Sequence, residues 1–159
     1  MKKPLVILGL GFFVIAAIIL VFYNLIQRDH WQQQNTAIKQ AKAQTNLVSV
    51  TGLDYYAGEA EYTIIYGKDS RQRDMIVWAG NGQVHAEYTA DGIVKSAVEA
   101  NFHKEAPNAR IIRIVPGVLN GNYIWEVFYQ TAEDGKSKYY YKFYRFSDGE
   151  WIDTFYMGA

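Results

Sequence analysis

No charge interrupts the stretch from Leu5 to Ile26, LVILGLGFFVIAAIILVFYNLI, which follows directly on Met1-Lys2-Lys3. At about 1.5 Å per helical residue, roughly twenty apolar positions cross the hydrocarbon core of a bilayer. The pattern predicts a transmembrane helix over 5–26 and a short cytoplasmic N-terminus, 1–4, because Lys2 and Lys3 hold that end inside. A cleaved signal peptide has a shorter apolar run followed by small residues, and Phe22–Arg28 carries no such pair. The expectation is a single-pass protein of the cell membrane whose remainder, from residue 28 on, is extracytoplasmic.

Beyond the anchor the hydrophobic period changes several times. QQQNTAIKQAKAQT, Gln32–Thr45, is rich in helix formers and carries a thin apolar strip of Ala37, Ile38 and Ala41, so it reads as a helix. Strands are predicted over Leu47–Tyr56, Ala60–Gly67, Asp74–Ala79 and Gln83–Tyr88, with Gly80-Asn81-Gly82 as a tight turn. Ile93, Val94, Ala97, Val98 and Phe102 then recur at three- and four-residue steps. They predict an amphipathic helix capped by Thr89 and ended before Pro107. Strands follow at Arg110–Val115, Tyr123–Thr131, Ser137–Phe146 and Glu150–Met157.

This order is an internal repeat of helix, strand and hairpin. It predicts an α+β fold of two tandem units, 27–88 and 89–159, each a helix packed on an antiparallel sheet. Neither unit is large enough to be stable alone, so the two should pack together.

Composition narrows the function classes. Lys2 and Lys3 are two of sixteen Lys and Arg, so the outer part carries 14 basic against 16 acidic residues. That balance, with no basic stripe, argues against a nucleic-acid partner. The chain has no cysteine, which excludes a lipoprotein anchor and thiol chemistry and suits a Gram-positive exterior. Aromatic residues make up 16% of the sequence, and most follow residue 55.

Chemistry is sparse. No hydrolase, phosphate-loop or dinucleotide motif is present, and His30, His85 and His103 lack partners at ligand spacing. No catalytic residue, metal or cofactor is therefore assigned. The carboxylate pairs Glu59/Glu61 and Glu133/Asp134 border predicted turns, where acids are solvated. Glu126 lies inside an aromatic strand and, if buried, needs a basic partner such as Lys142.

The run from Lys138 to Phe146, KYYYKFYRF, carries the functional signal. Alternation places Tyr139, Tyr141, Phe143 and Arg145 on one face and Tyr140, Lys142, Tyr144 and Phe146 on the other. One core buries only one face, so the other serves packing between units, a protein interface or a glycan surface. Aromatic and basic side chains of this kind dominate interface hot spots, and Trp125, Tyr140, Lys142 and Tyr144 are the candidate partner-binding residues.

Five segments carry a resemblance: the anchor, NTAIKQAKAQTNL at Asn35–Leu47, YTIIYGKDSRQRDMIVW at Tyr62–Trp78, the ADGIVKSAVEANF helix, and the block from Ile124 to Ile152 with Trp125-Glu126-Val127-Phe128-Tyr129 and Asp148-Gly149. Together they resemble the TseB-like (YpmB-type) cell-wall elongation regulators of Gram-positive bacteria. The resemblance implies tandem PepSY-like, cystatin-like units in a non-enzymatic membrane protein. It implies action on peptidoglycan synthesis through a penicillin-binding transpeptidase of the elongation machinery. Two alternatives stand beside it: a module that binds peptidoglycan itself, and a PepSY-like restraint on an extracytoplasmic protease.

Overall fold

A computed structural model describes residues 15–16, 18–20, 31–133 and 135–158. The predicted cytoplasmic N-terminus and most of the predicted transmembrane helix, 5–26, lie outside these residues. Among the described residues no helix is long and apolar enough to cross a membrane. The chain divides into a short unit, Met1–Thr36, and a larger one, Ala37–Ala159. In the short unit, residues 15–16, 18–20 and 31–36 are helical.

The larger unit is α+β, with two four-stranded antiparallel meanders. Helix α1 (31–44) enters it at Ala37. The first sheet has the order β1(Ser49–Ala57), β2(Glu61–Lys68), β3(Asp74–Gly80), β4(Gln83–Tyr88). After helix α2 (Lys95–Glu105), the second sheet repeats it with β5(Arg110–Leu119), β6(Asn122–Glu133), β7(Lys136–Arg145) and β8(Trp151–Met157). Asn81-Gly82 and Asn120-Gly121 sit at corresponding hairpins, and all four residues have positive φ, between 50° and 74°. Asn and Gly are the residues that tolerate the left-handed conformation of a type I′ turn, whose twist matches the flanking strands.

Alternation along β2 and β3 assigns the two faces of the first sheet. Ile65, Met75, Val77 and Ala79 bury one face against Ala37 and Ala41 of α1 and against Leu47. The two alanines, one turn apart, let the helix backbone approach closely. Ile64, Ile76 and Trp78 point the other way and join Tyr56, Val115, Ile124, Trp125, Phe143 and Phe146 in one continuous core shared by both sheets. Trp78 packs at 5.0 Å from the Tyr123 ring and edge-on at 5.3 Å to Phe146. The Tyr56 hydroxyl donates to the Val118 carbonyl at 3.0 Å, a second tie between sheets.

Two local expectations are corrected. Thr89 does not cap α2; the helix begins at Lys95 after a separate short turn at Thr89–Asp91. Residues 89–94 are pinned elsewhere. The Thr89 hydroxyl donates to the Asp74 carbonyl, the Ile93 N–H donates to the Phe146 carbonyl, and the Ile93 carbonyl accepts from the Trp125 indole. These tertiary bonds override the local helical period. Strand β5 runs four residues past Val115, through Pro116, which an edge strand accommodates because its free side needs no donor. His85 lies within β4, inside the predicted strand Gln83–Tyr88.

At Gly117 of β5 the Tyr56 ring from the first sheet packs directly on the backbone. A Cβ there would stand 2.3–2.6 Å from three atoms of the buried Tyr56 ring. Gly117→Ala is expected to lower stability by about 1–3 kcal/mol, the usual cost of overpacking. Thermal denaturation followed by near-ultraviolet circular dichroism checks this, with Gly52→Ala as the contrasting site, where an added Cβ meets the Tyr66 ring at an ordinary 3.5 Å.

Candidate functional site

Register places the four sequence-nominated residues together. Trp125 faces Tyr144, Val127 faces Lys142, and Tyr129 faces Tyr140 across β6 and β7. This face lies under α2. Phe102 of α2 stacks edge-on against Tyr129 at 4.7 Å, and the Trp125 Nε1–H donates to the Ile93 carbonyl at 2.9 Å. Trp125 and Tyr144 are 2% and 1% exposed, so their rings are committed to the core. Burial, reinforced by the neighbouring Glu105 carboxylate, pushes the Tyr144 hydroxyl well above its ordinary range. Lys142 forms an ion pair with Glu105. Tyr140 is half-buried, stacks on Tyr129 at 5.4 Å, and donates to Glu133 at 2.8 Å.

The partner of Glu126 differs from expectation. Glu126 is 4% exposed and pairs with Arg113, not Lys142, at 2.6 Å. Alternation explains the swap, because Glu126 points to the face opposite Lys142, where Arg113 reaches it from β5. Desolvation raises the Glu126 carboxyl above the ordinary range, and the Arg113 bond and charge oppose that rise without cancelling it.

A second cluster lies at the β2–β3 hairpin, which the sequence marks only as a polar turn. Asp69 is buried and accepts the backbone N–H groups of Arg71 and Arg73 at 2.8 and 2.9 Å and the Arg73 Nε–H at 2.8 Å. Tyr88 from β4 completes the knot. Its hydroxyl accepts from Arg73 at 2.6 Å and donates to Asp69, and the Arg73 guanidinium lies 4.0 Å over its ring. Desolvation works against ionising Asp69. The donors from Arg73 and Arg71 outweigh it and pull the carboxyl down to about 2.

The knot holds the hairpin beside the C-terminal end of α1. Between them is an open cleft of about 480 Å³ lined by Lys42, Thr45, Asn46, Asp69, Arg71 and Arg73 among others. Asp69 and Arg73 neutralise each other. Lys42 and Arg71 are exposed and form no ion pair among the described residues, so the rim is cationic. A signal for this site is present in the sequence as Asp69 four positions before Arg73, with Arg71 between them. Among the described residues, no three His, Asp or Glu side chains converge as a metal site would require.

Comparison with known proteins places this cleft in context. A family model described as "Cell wall elongation regulator TseB-like domain" matches residues 36–79, a span that contains every residue lining the cleft. Among solved structures, the YpmB protein from Bacillus subtilis superposes with a TM-score of 0.68 at 19% identity. The match covers 77% of this chain and 96% of that one, and at this identity it establishes a shared fold. No curated protein matches the sequence. The resemblance to the TseB-like, YpmB-type family read from the sequence is thus borne out.

Two outcomes test the electrostatics. Arg113→Ala strands a buried carboxylate. It should cost about 2–3 kcal/mol at pH 7, below the roughly 3–5 kcal/mol of a fully buried pair because Arg113 is partly open to water. An acid whose folded pKa is raised loses stability as pH climbs through that pKa. The Arg113→Ala deficit should therefore shrink as pH falls through the raised Glu126 pKa and largely disappear with Glu126→Gln, as read by denaturant midpoints.

Asp69 has the opposite sign. Its stabilisation is complete above the ordinary pKa near 4 and is lost as pH falls toward 2. Asp69→Asn should flatten the stability profile between pH 4 and 2 and leave its slope between pH 6 and 8 unchanged.

Proposed function

We propose that this chain, which carries a TseB-like domain over residues 36–79, is a non-enzymatic, membrane-anchored regulator of peptidoglycan elongation. It acts by binding a penicillin-binding transpeptidase. The apolar segment 5–26 is its single anchor, with the N-terminus in the cytoplasm and the two PepSY-like units, 27–88 and 89–159, outside.

The observation that carries this reading is the coincidence of the matched span with the hairpin cleft. The cleft offers what a protein partner needs. Asp69, Arg73 and Tyr88 rigidify its wall through charge-assisted bonds, so little ordering entropy is lost on docking. Lys42 and Arg71 present two cations to an acidic surface on the partner, and such complementarity sets association rate and specificity. Trp125 and Tyr144 support the second sheet from inside, leaving Tyr140 and Lys142 at the margin of α2.

The test is in-cell photocrosslinking from Lys42, Arg71 and Tyr140 of the full chain, with adducts identified by mass spectrometry. A penicillin-binding transpeptidase should appear from Lys42 and Arg71, and the double variant Lys42→Glu/Arg71→Glu should reduce its recovery at least about tenfold, a change of 1.4 kcal/mol. Wall-glycan fragments as the sole adducts would move the protein to the peptidoglycan-binding reading. Absence of both kinds of adduct, together with normal cell shape on loss of the gene, would overturn the proposal.

A further inference from the structure

Asparagine is followed by glycine at two places in the sequence, Asn81-Gly82 and Asn120-Gly121, and every other asparagine precedes a residue with a side chain. The pairing matters chemically, because a glycine nitrogen has no Cβ beside it to shield it from the asparagine side chain. Both pairs form the two-residue loops of hairpins, β3–β4 and β5–β6. All four residues are exposed, and a Cβ added to either glycine would meet nothing within 4 Å. Local sequence and turn geometry therefore treat the two sites alike.

Their surroundings differ. The Asn120 N–H donates to Glu59 Oε2 at 3.0 Å, and the Asn120 carbonyl accepts from Asn122 Nδ2 at 3.2 Å. The peptide units on both sides of the Asn120 Cα are thus held by side chains. Among the described residues no such bond holds Asn81.

We propose that Asn81, in preference to Asn120, is a site of spontaneous deamidation in the folded protein. The Gly82 backbone nitrogen attacks Asn81 Cγ. The bond from Cγ to the side-chain nitrogen breaks, and that nitrogen leaves as ammonia with the proton that Gly82 gives up. Water then opens the five-membered imide. Opening at the side-chain carbonyl leaves aspartate, and opening at the backbone carbonyl leaves isoaspartate, in which the chain runs through the former side chain. Ring closure requires rotation about the asparagine Cα–C bond, which swings the carbonyl and the next nitrogen together as one plane. At Asn120 that rotation breaks the bond from Asn122, while Glu59 anchors the preceding peptide unit. At Asn81 it breaks neither kind of tether. Two hydrogen bonds of ordinary net strength slow closure by at least about fivefold.

The modified residue stands at a place where the change is felt. Asn81 lies in the wall of a cleft of about 320 Å³ with Glu59, Tyr62 and Tyr123, and no basic residue is among its lining. Deamidation adds a carboxylate to a wall that already carries Glu59. The isoaspartate form also lengthens the backbone of a loop whose twist fits the flanking strands at two ordinary residues. Each conversion is irreversible, so it accumulates with the age of the molecule.

The test is to hold the full-length protein in detergent at pH 8, digest it with trypsin at intervals, and read each site by tandem mass spectrometry. Cleavage after Arg73 and Lys95 isolates Asn81, and cleavage after Arg113 and Lys136 isolates Asn120 with Asn122. The first peptide should gain one mass unit at Asn81 at least about fivefold faster than the second gains it at Asn120. In urea, where neither turn persists, the two rates should converge. Asn122→Ala should accelerate Asn120 and leave Asn81 unchanged, with near-ultraviolet circular dichroism verifying that the variant stays folded. Equal rates in the folded protein, faster conversion of Asn120, a ratio that persists in urea, no effect of Asn122→Ala on Asn120, or no conversion of Asn81 while the unfolded chain converts would overturn the inference.

Discussion

The structure depends on a seam of aromatic rings between its two sheets. Trp78 comes from β3, and it lies against Tyr123 and Phe146 from the second half of the chain. Tyr56 comes from β1 and fills the space that Gly117 leaves on β5. Each ring removes a large apolar area from water, and each well-placed pair adds about 0.5–1.5 kcal/mol beyond that. The Trp78 Nε1–H is buried without a hydrogen-bond acceptor among the described residues. Leaving it so costs about 1–3 kcal/mol, a penalty the surrounding ring contacts must exceed for the seam to close at all. In the first sheet α1 covers one face, so the other apolar face is stable only where the second half of the chain covers it.

Much of this was legible in the chain because alternation and turn chemistry are local signals. Gly80-Asn81-Gly82 marked the β3–β4 hairpin, and the repeat of helix, strand and hairpin forecast two similar sheets. The forecasts that missed share a cause. Thr89 looked like a helix cap, but its hydroxyl and the Ile93 backbone are held by residues more than ten positions away. Glu126 seemed matched to Lys142 because they sit on adjacent strands, yet their side chains leave opposite faces and Arg113 is the partner. Long-range pairing decides such cases, and a periodicity window does not contain it.

The candidate site shows the same division. The aromatic run in β7 was conspicuous by composition, and the register did bring Trp125, Tyr140, Lys142 and Tyr144 onto one face. Composition could not say that α2 lies over half of that face. The hairpin cleft was inconspicuous because its organiser, Asp69, is an ordinary acid in an ordinary polar turn. Its importance comes from burial and from Tyr88, nineteen positions further on, closing the knot. The first half thus presents charge on a rigid loop, and the second exposes rings on its edge strand β8.

The seam also imposes an order in time. The β1–β4 meander can be threaded by short hairpins as soon as residue 88 is available, but the cover for Trp78 includes Phe146. At 5–20 residues per second, the intervening stretch of about 58 residues takes roughly 3–12 s to synthesise. Throughout that interval the first sheet shows a greasy face to whatever surrounds the nascent chain. For this fold the interval between its two halves is when proteases and chaperones compete for it, and the speed of synthesis sets how long that competition lasts.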